Sequence, residues 1–357
     1  MKKLVLLGGG YGGLRIIQQL LSSNVPDVEI TLIDREPFHC LKTEYYALAA
    51  GTISETEVRV PFPEHPQFTF QFGEVTDIDL DNKQIAYRNQ NDQLETIAYD
   101  ELVIGLGSED KYHGVPGADT FTLSIQTIDK TRETSQTLSN LPPGATVGIV
   151  GAGLSGVELA SELSESRPDI HIKLFDRGQT ILSDFPERLS RYVENWFREH
   201  GVEVINNSNI TKVEKNKLYN NDEPVDVDAI VWTAGIQPHR LVRELPVKKD
   251  KNNRIILTKH HFIESHPEVY VVGDCASLPH SPSAQLAEEQ AEQIVEVMLK
   301  RWNNEELPDL PPIKLKGVLG SLGQKHGFGI MGSTALTGRV PRLLKSGVLW
   351  LYKRNYH

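Results

Sequence analysis

Two short glycine-rich stretches hold the residue types and spacings best suited to chemistry. Gly8-Gly9-Gly10-Tyr11-Gly12-Gly13 and Gly151-Ala152-Gly153-Leu154-Ser155-Gly156 each spell G-x-G-x-x-G. In such a turn the first glycine permits a tight bend and the second lets the backbone approach a pyrophosphate. The third lets a helix pack against the strand before it. An acid follows each copy: Asp34 and Asp176 lie 21 and 20 residues after the third glycine. A carboxylate there can accept hydrogen bonds from adenosine ribose hydroxyls. One copy alone is weak evidence, because ordinary strand-to-helix turns use the same glycines. Two copies in the same context read as two dinucleotide sites.

The elements that must position these residues repeat with them. Strand 3–7 runs into the first glycine turn, a helical stretch covers 14–22, and strand 29–33 ends at Asp34. Strand 146–150 runs into the second turn, a helical stretch covers 157–164, and strand 171–175 ends at Asp176. Each copy is a β-α-β unit, which requires parallel strands and a right-handed crossover. Further apolar runs at 69–72, 84–88, 101–104, 202–205, 229–232 and 269–272 read as strands, and 188–200 and 283–302 as helices. Pro142-Pro143-Gly144 is a turn cluster that suits a domain hinge, and the polar, proline-rich stretch 305–312 sets off a last small segment.

Two nucleotide sites suggest two nucleotides that react with each other, and FAD with a nicotinamide nucleotide is the natural pair. The cofactors would carry the hydride chemistry, so neither a nucleophilic triad nor a metal cluster is needed. The twelve histidines show no metal-ligand spacing. A net charge of −11 argues against nucleic acid as a partner. Two cysteines, Cys40 and Cys275, cannot make a disulfide framework, so a reduced cytoplasmic setting is expected. The apolar run after Lys2-Lys3 is too short for a signal peptide, and no run reaches the 18 residues of a membrane span.

The chain resembles the type II NADH dehydrogenases of the pyridine nucleotide-disulfide oxidoreductase superfamily over nearly its whole length. Gly8, Gly10 and Gly13 with Asp34 match the FAD fingerprint. Glu101-Leu102-Val103-Ile104-Gly105-Leu106-Gly107-Ser108 resembles the turn where the chain passes between domains, and Val231-Trp232-Thr233-Ala234-Gly235-Ile236 its second counterpart. Val271-Val272-Gly273-Asp274 resembles the second FAD motif, whose aspartate binds the ribityl chain. The resemblance implies an α/β fold of two Rossmann-like, glutathione-reductase-like domains plus a short C-terminal segment. It assigns 1–108 and 241–312 to FAD, 109–240 to NADH and 313–357 to the tail. It also implies that Glu158, two residues into the second helical stretch, lies near the meeting point of nicotinamide and flavin; the plain alternative is a solvated first-turn carboxylate. Cys275 fits as a small buried side chain.

The acceptor is less determined. The superfamily's disulfide reductases use C-x4-C, and the residue five after Cys40 is Tyr45, so a dithiol mechanism is excluded. A single-cysteine peroxidase or coenzyme A disulfide reductase stays open. The resembled family carries A-Q-x-A-x-Q beside the flavin and quinone; here Ala284-Gln285-Leu286-Ala287 matches, Glu289 replaces the second glutamine and Gln290 follows one residue later. One residue is a turn of about 100° on a helix, so Gln290 does not simply substitute. The reading is an FAD-dependent NADH dehydrogenase with a quinone-like acceptor, Gln285 and Glu158 being its catalytic candidates. The alternatives are a soluble NADH diaphorase or flavin reductase, or a low-turnover NADH-sensing flavoprotein.

The tail 339–357 combines Arg339, Arg342, Lys345, Lys353 and Arg354, and no acid, with Leu343, Leu344, Val348, Trp350 and Leu351. A basic amphipathic segment on an acidic protein suits peripheral contact, through 339–354, with the inner face of the cell membrane. Packing against the body of the protein or against a second subunit in a homodimer is the equal alternative.

Overall fold

The computed structural model describes residues 1–23 and 25–355. The chain divides into two compact units, each assembled from separated segments. The first unit comprises Met1–Cys40, Val60–Glu109 and Gln237–Leu315, and the second Leu41–Arg59, Asp110–Ile236 and Lys316–His357. The domains expected from sequence differ most from these units at Leu41–Arg59, which packs with the second unit, and at the tail, which is part of it.

The first unit is built on an eight-stranded sheet. Strands His266–Val271, Glu101–Ile104, Lys2–Leu7, Val28–Asp34 and Phe68–Asp79 lie side by side and parallel. Antiparallel strands close both edges: Phe262–Ile263 on one, Gln84–Asn89 and Leu94–Ala98 on the other. Leu4, Leu6 and Leu7 are completely buried, as strands covered on both faces require. Helices Tyr11–Ser22 and Ala284–Trp302 pack together on one face. They meet closely because Gly12 has no side chain: a Cβ there would come within 2.4 Å of Val272 and 3.3 Å of the Ala287 carbonyl.

The second unit repeats the plan with a four-stranded parallel sheet in the order Val202–Ile205, His171–Phe175, Thr146–Val150, Ala229–Trp232. Helix Leu154–Ser166 follows its glycine turn. The C-terminal segment is folded: strands Gly317–Leu322, His326–Met331 and Thr334–Gly338 form an antiparallel sheet, and helix Arg339–Asn355 follows. This sheet packs on helix Leu154–Ser166. The fold is α/β with two Rossmann-like domains. In each, the glycine turn leaves the end of a strand whose neighbours run to opposite sides of the sheet, the switch point where such sheets bind ligands.

Candidate functional site

In the first unit the glycines divide into two kinds. Gly8 has φ +94°, and a Cβ there would lie 2.4 Å from the Gly105 carbonyl oxygen. A Cβ on Gly13 would lie 2.2 Å from the Gly8 carbonyl oxygen. Both positions are therefore closed by the protein's own backbone. Gly10 differs: a Cβ there would meet nothing within 4 Å. The fold does not need a glycine at that point, whereas a pyrophosphate approaching the backbone does. Gly10 is also the N-cap of helix Tyr11–Ser22 and has no side chain to cap it, so the helix's leading N–H groups receive no bond from a cap side chain.

The second unit reproduces this division. A Cβ on Gly151, at φ +102°, would lie 2.6 Å from the Ala234 Cα, and one on Gly156 would lie 1.9 Å from the Gly151 carbonyl oxygen. Gly153, the N-cap of helix Leu154–Ser166, again faces open space. Both turns thus fit a dinucleotide, through the middle glycine in each.

The acids at the strand ends have a task that the sequence reading did not include. Asp34 Oδ2 accepts the Gly9 N–H at 2.6 Å, and Oδ1 the Glu36 N–H at 2.9 Å. Asp176 Oδ2 accepts the Ala152 N–H at 2.8 Å, and Oδ1 the Gly178 N–H at 2.7 Å. Each carboxylate therefore holds its own glycine turn through the turn's second residue. Burial raises the Asp34 pKa, against the lowering effect of its two N–H donors. His39, wholly buried, places Nδ1 2.8 Å from the Gly9 carbonyl oxygen, and burial pushes its pKa down to about 4.

The second pair of motifs in the first unit comes together. Asp274 lies in the short turn Gly273–Cys275, and its Oδ2 accepts the Ser108 hydroxyl at 2.6 Å. Gly107, at φ +69°, faces open space, and its carbonyl oxygen accepts the Cys275 thiol at 3.3 Å. Cys275 is wholly buried, as expected of a small packing residue. A cleft beside Gly8 is lined by Asp34, Arg35, Leu106 and His239. In the second unit, Gly235 has φ +119° and accepts the Lys111 N–H at 3.0 Å.

Glu158 is not a solvated first-turn carboxylate. Helix Leu154–Ser166 begins three residues earlier than the sequence suggests, so Glu158 lies beyond the first turn, and it is only 4% exposed. Its Oε1 receives the Lys345 ammonium at 2.5 Å and the Ser321 N–H at 2.8 Å. The Lys345 Nζ also donates to the Tyr46 hydroxyl at 2.9 Å and lies 3.7 Å from Glu44 Oε1. Tyr46 in turn lies 2.8 Å from the Ser321 hydroxyl. Burial raises the Glu158 pKa to about 7, although Lys345 pulls it down. Burial disfavours the Lys345 charge, but Glu158, Tyr46 and Glu44 outweigh it and hold the ammonium protonated. Nothing in the sequence marks Ser321 as a partner of Glu158, or Tyr46 and Glu44 as partners of Lys345.

Lys345 corrects a second expectation. The composition of the tail places it in a basic surface patch, yet its side chain is only 12% exposed. Helix Arg339–Asn355 turns Arg342 and Lys345 inward, toward the carboxylates of Glu162 and Glu158. Its apolar side chains point out instead: Leu343 is 71% exposed, Val348 61%, Trp350 59% and Leu351 53%. Asn355 closes the helix, and Tyr356 and His357, the end of the basic segment read from sequence, lie outside the described residues.

The Ala284-Gln285-Leu286-Ala287 stretch forms the first turn of helix Ala284–Trp302, capped by the Ser283 hydroxyl, which accepts the Leu286 N–H at 3.2 Å. Leu286 and Ala287 are buried, while Gln285 and Glu289 are half-buried. Gln290 is wholly buried.

Residues 2–291 match the family model described as pyridine nucleotide-disulphide oxidoreductase. The chain is 63% identical over 357 residues to the NADH dehydrogenase-like protein YutJ of Bacillus subtilis (strain 168), covering 99% of each chain. It is 24% identical to the type II NADH:quinone oxidoreductase of Staphylococcus haemolyticus (strain JCSC1435), over 96% of this chain and 93% of that one. Its fold is similar to the structure of NDH2 from Plasmodium falciparum in complex with NADH, with a TM-score of 0.86 at 16% identity, covering 99% of this chain and 96% of the other. With the duplicated glycine turns and the family match over residues 2–291, the chain belongs to the pyridine nucleotide-disulphide oxidoreductase family.

Proposed function

We propose that this protein is an FAD-dependent NADH dehydrogenase of the non-proton-pumping type, passing electrons to a quinone-like acceptor. The observation that carries the reading is the pair of open middle glycines, Gly10 and Gly153, each at the uncapped start of a helix. The resemblance of the first turn and of Val271-Val272-Gly273-Asp274 to the FAD motifs assigns FAD to the first unit, and NADH falls to the second. The name of the 63% identical relative points the same way. When bound, the nicotinamide supplies a hydride and the flavin accepts it.

The residues then have separate tasks. The N–H groups beginning helices Tyr11–Ser22 and Leu154–Ser166 bind the pyrophosphates. Asp34 and Asp176 hold the turns and accept ribose hydroxyls, and Asp274 accepts a ribityl hydroxyl. Glu158, with its raised pKa and the Lys345 ammonium beside it, holds a proton near neutral pH. A carboxyl poised there suits the proton that a reduced quinone must gain. Gln285 is the candidate acceptor contact on the first turn of its helix.

The exposed apolar stripe of helix Arg339–Asn355, with Arg339, Lys353 and Arg354 on the same helix and no acid, supports docking on an anionic lipid surface. Among the described residues no helix is long and apolar enough to cross a membrane.

The test is an acceptor screen on purified protein with its flavin identified, run with and without anionic liposomes. Rapid NADH:quinone turnover that rises on liposomes is the expected result. Activity with dyes alone would favour the diaphorase reading, and flavin reduction without turnover the sensing one. Protein that retains no flavin would overturn all three.

A further inference from the structure

Gln290 sits one residue past the position where a family glutamine was expected, and it is engaged elsewhere. Its side chain has no exposed surface. Its Oε1 accepts the Gly273 N–H at 2.9 Å, and its Nε2 donates to the Val271 carbonyl oxygen at 2.9 Å. The reason lies in the sheet. Strand His266–Val271 is paired on one side with Glu101–Ile104, a ladder extended by the Val272 N–H to the Ile104 carbonyl at 3.0 Å. On its other side the partner strand, Phe262–Ile263, has only two residues. The Val271 N–H still finds the His261 carbonyl at 3.2 Å. Beyond that point the Val271 carbonyl and the Gly273 N–H have no strand to pair with, and the Gln290 amide takes its place.

The amide can face only one way, because flipping it would set N–H against N–H and oxygen against oxygen. A further chain holds it in that orientation. Gln290 Nε2 lies 3.4 Å from His261 Nδ1, His261 Nε2 lies 2.7 Å from Gln293 Oε1, and Gln293 Nε2 donates to the Pro311 carbonyl oxygen at 2.7 Å. The tautomer with its proton on His261 Nε2 satisfies every link: Nε2 donates to Gln293, and Nδ1 accepts from Gln290.

Asp274 follows directly on the clamped peptide. The Ser108 hydroxyl fixes one carboxylate oxygen, and Gln290 fixes the backbone that carries the side chain. We propose that Gln290 is a positioning residue for flavin binding: it holds the Gly273-Asp274 turn in the conformation that presents the Asp274 carboxylate to the flavin's polyhydroxyl chain. This rests on the reading of Asp274 as a flavin contact.

The experiment is a double-mutant cycle on the full chain, with the FAD Kd measured by titrating flavin-free protein. Gln290→Leu, which strands both backbone groups, is expected to weaken FAD about ten- to a hundredfold. In an Asp274→Ala background the same change should shift the Kd by less than about twofold, because the carboxylate it positions is gone. A purely structural role would lower thermal stability but give equal Kd effects in both backgrounds, and that result would overturn the proposal alone. An unchanged Kd for Asp274→Ala itself would overturn the assignment of Asp274 and the proposal with it. Gln290→Glu, which keeps the acceptor for Gly273 and loses the donor for Val271, carries the same cycle with a smaller expected effect if Gln290→Leu does not fold.

Discussion

Lys345, near the chain's C-terminus, buries its ammonium against the carboxylate of Glu158 at 2.5 Å, joining the last helix to the helix of the second glycine turn. Both side chains are largely withdrawn from water, Lys345 at 12% exposed and Glu158 at 5%. Removing one member of such a pair leaves a charge or a carboxyl without compensation, whereas replacing both can be nearly neutral. Lys345→Met is therefore expected to destabilise the protein by about 3–5 kcal/mol in urea unfolding. The Lys345→Met, Glu158→Gln double variant should recover part of that loss, because Glu44 and Tyr46 still lose the ammonium. Equal losses in the single and double variants would show that the ion pair is not what fastens the helix.

The burial of Glu158 sets a pH dependence, against the pull of Lys345. The Glu158 pKa is raised to about 7 in the folded protein from an ordinary 4.5. Its contribution to stability is thus fully present below pH 4.5 and is lost as pH rises through about 7. Comparison of wild type with Glu158→Gln should show the difference in unfolding free energy changing between these limits and flat above them. A difference that is constant across pH 4.5 to 7 would mean that Glu158 titrates normally.

Asp176 should set nucleotide preference. Its two oxygens are held by the Ala152 and Gly178 N–H groups, so its charge cannot swing away from a ribose phosphate. Repulsion at about 4 Å is worth roughly 1 kcal/mol in water and about 4 at an effective dielectric of 20, which is about tenfold to a thousandfold. Because Arg177 is adjacent, the lower end is expected for NADH over NADPH in kcat/KM. Asp176→Ser should narrow the ratio. Equal efficiency with both nucleotides in the wild type would remove this role.

Cys40 is a half-exposed thiol in the first unit and is not joined in a disulfide. Hydride and electron transfer as proposed need no thiol, so Cys40→Ser should retain NADH-to-dye turnover within about twofold, the error expected of independent sites. A large loss with flavin still bound would revive a single-cysteine peroxidase or disulfide reductase.

Glu289 puts a half-buried carboxylate where the resembled family has a neutral amide. A carboxylate disfavours negative charge developing on a nearby acceptor. Glu289→Gln should speed the quinone half-reaction and leave reduction by NADH unchanged, as stopped-flow measurement of each half-reaction would resolve. Equal rates for the two half-reactions in the wild type would show that position 289 does not limit turnover.

What depends on short-range geometry was legible from the residues alone. A strand, a glycine turn and a helix are neighbours in the chain, so Gly8, Gly10 and Gly13 could be read with Asp34, and Gly151, Gly153 and Gly156 with Asp176. The structure places each acid on its own turn. Strands 101–104, 146–150, 171–175, 202–205 and 229–232 coincide with those observed, because continuous apolar runs between turns have few other uses in a parallel sheet. Tertiary structure decided everything that depends on distant segments meeting. The Glu158 carboxylate meets Ser321 and Lys345, 163 and 187 positions away, and Lys345 in turn meets Glu44 and Tyr46; no spacing rule connects them. Gln290 looked like a misplaced glutamine until the end of the short strand Phe262–Ile263 left two backbone groups for it to satisfy. The last helix reads as an ordinary amphipathic pattern, and a pattern alone cannot say which face turns inward. Here buried carboxylates on a neighbouring helix draw its cations in, and its apolar side chains are left outside.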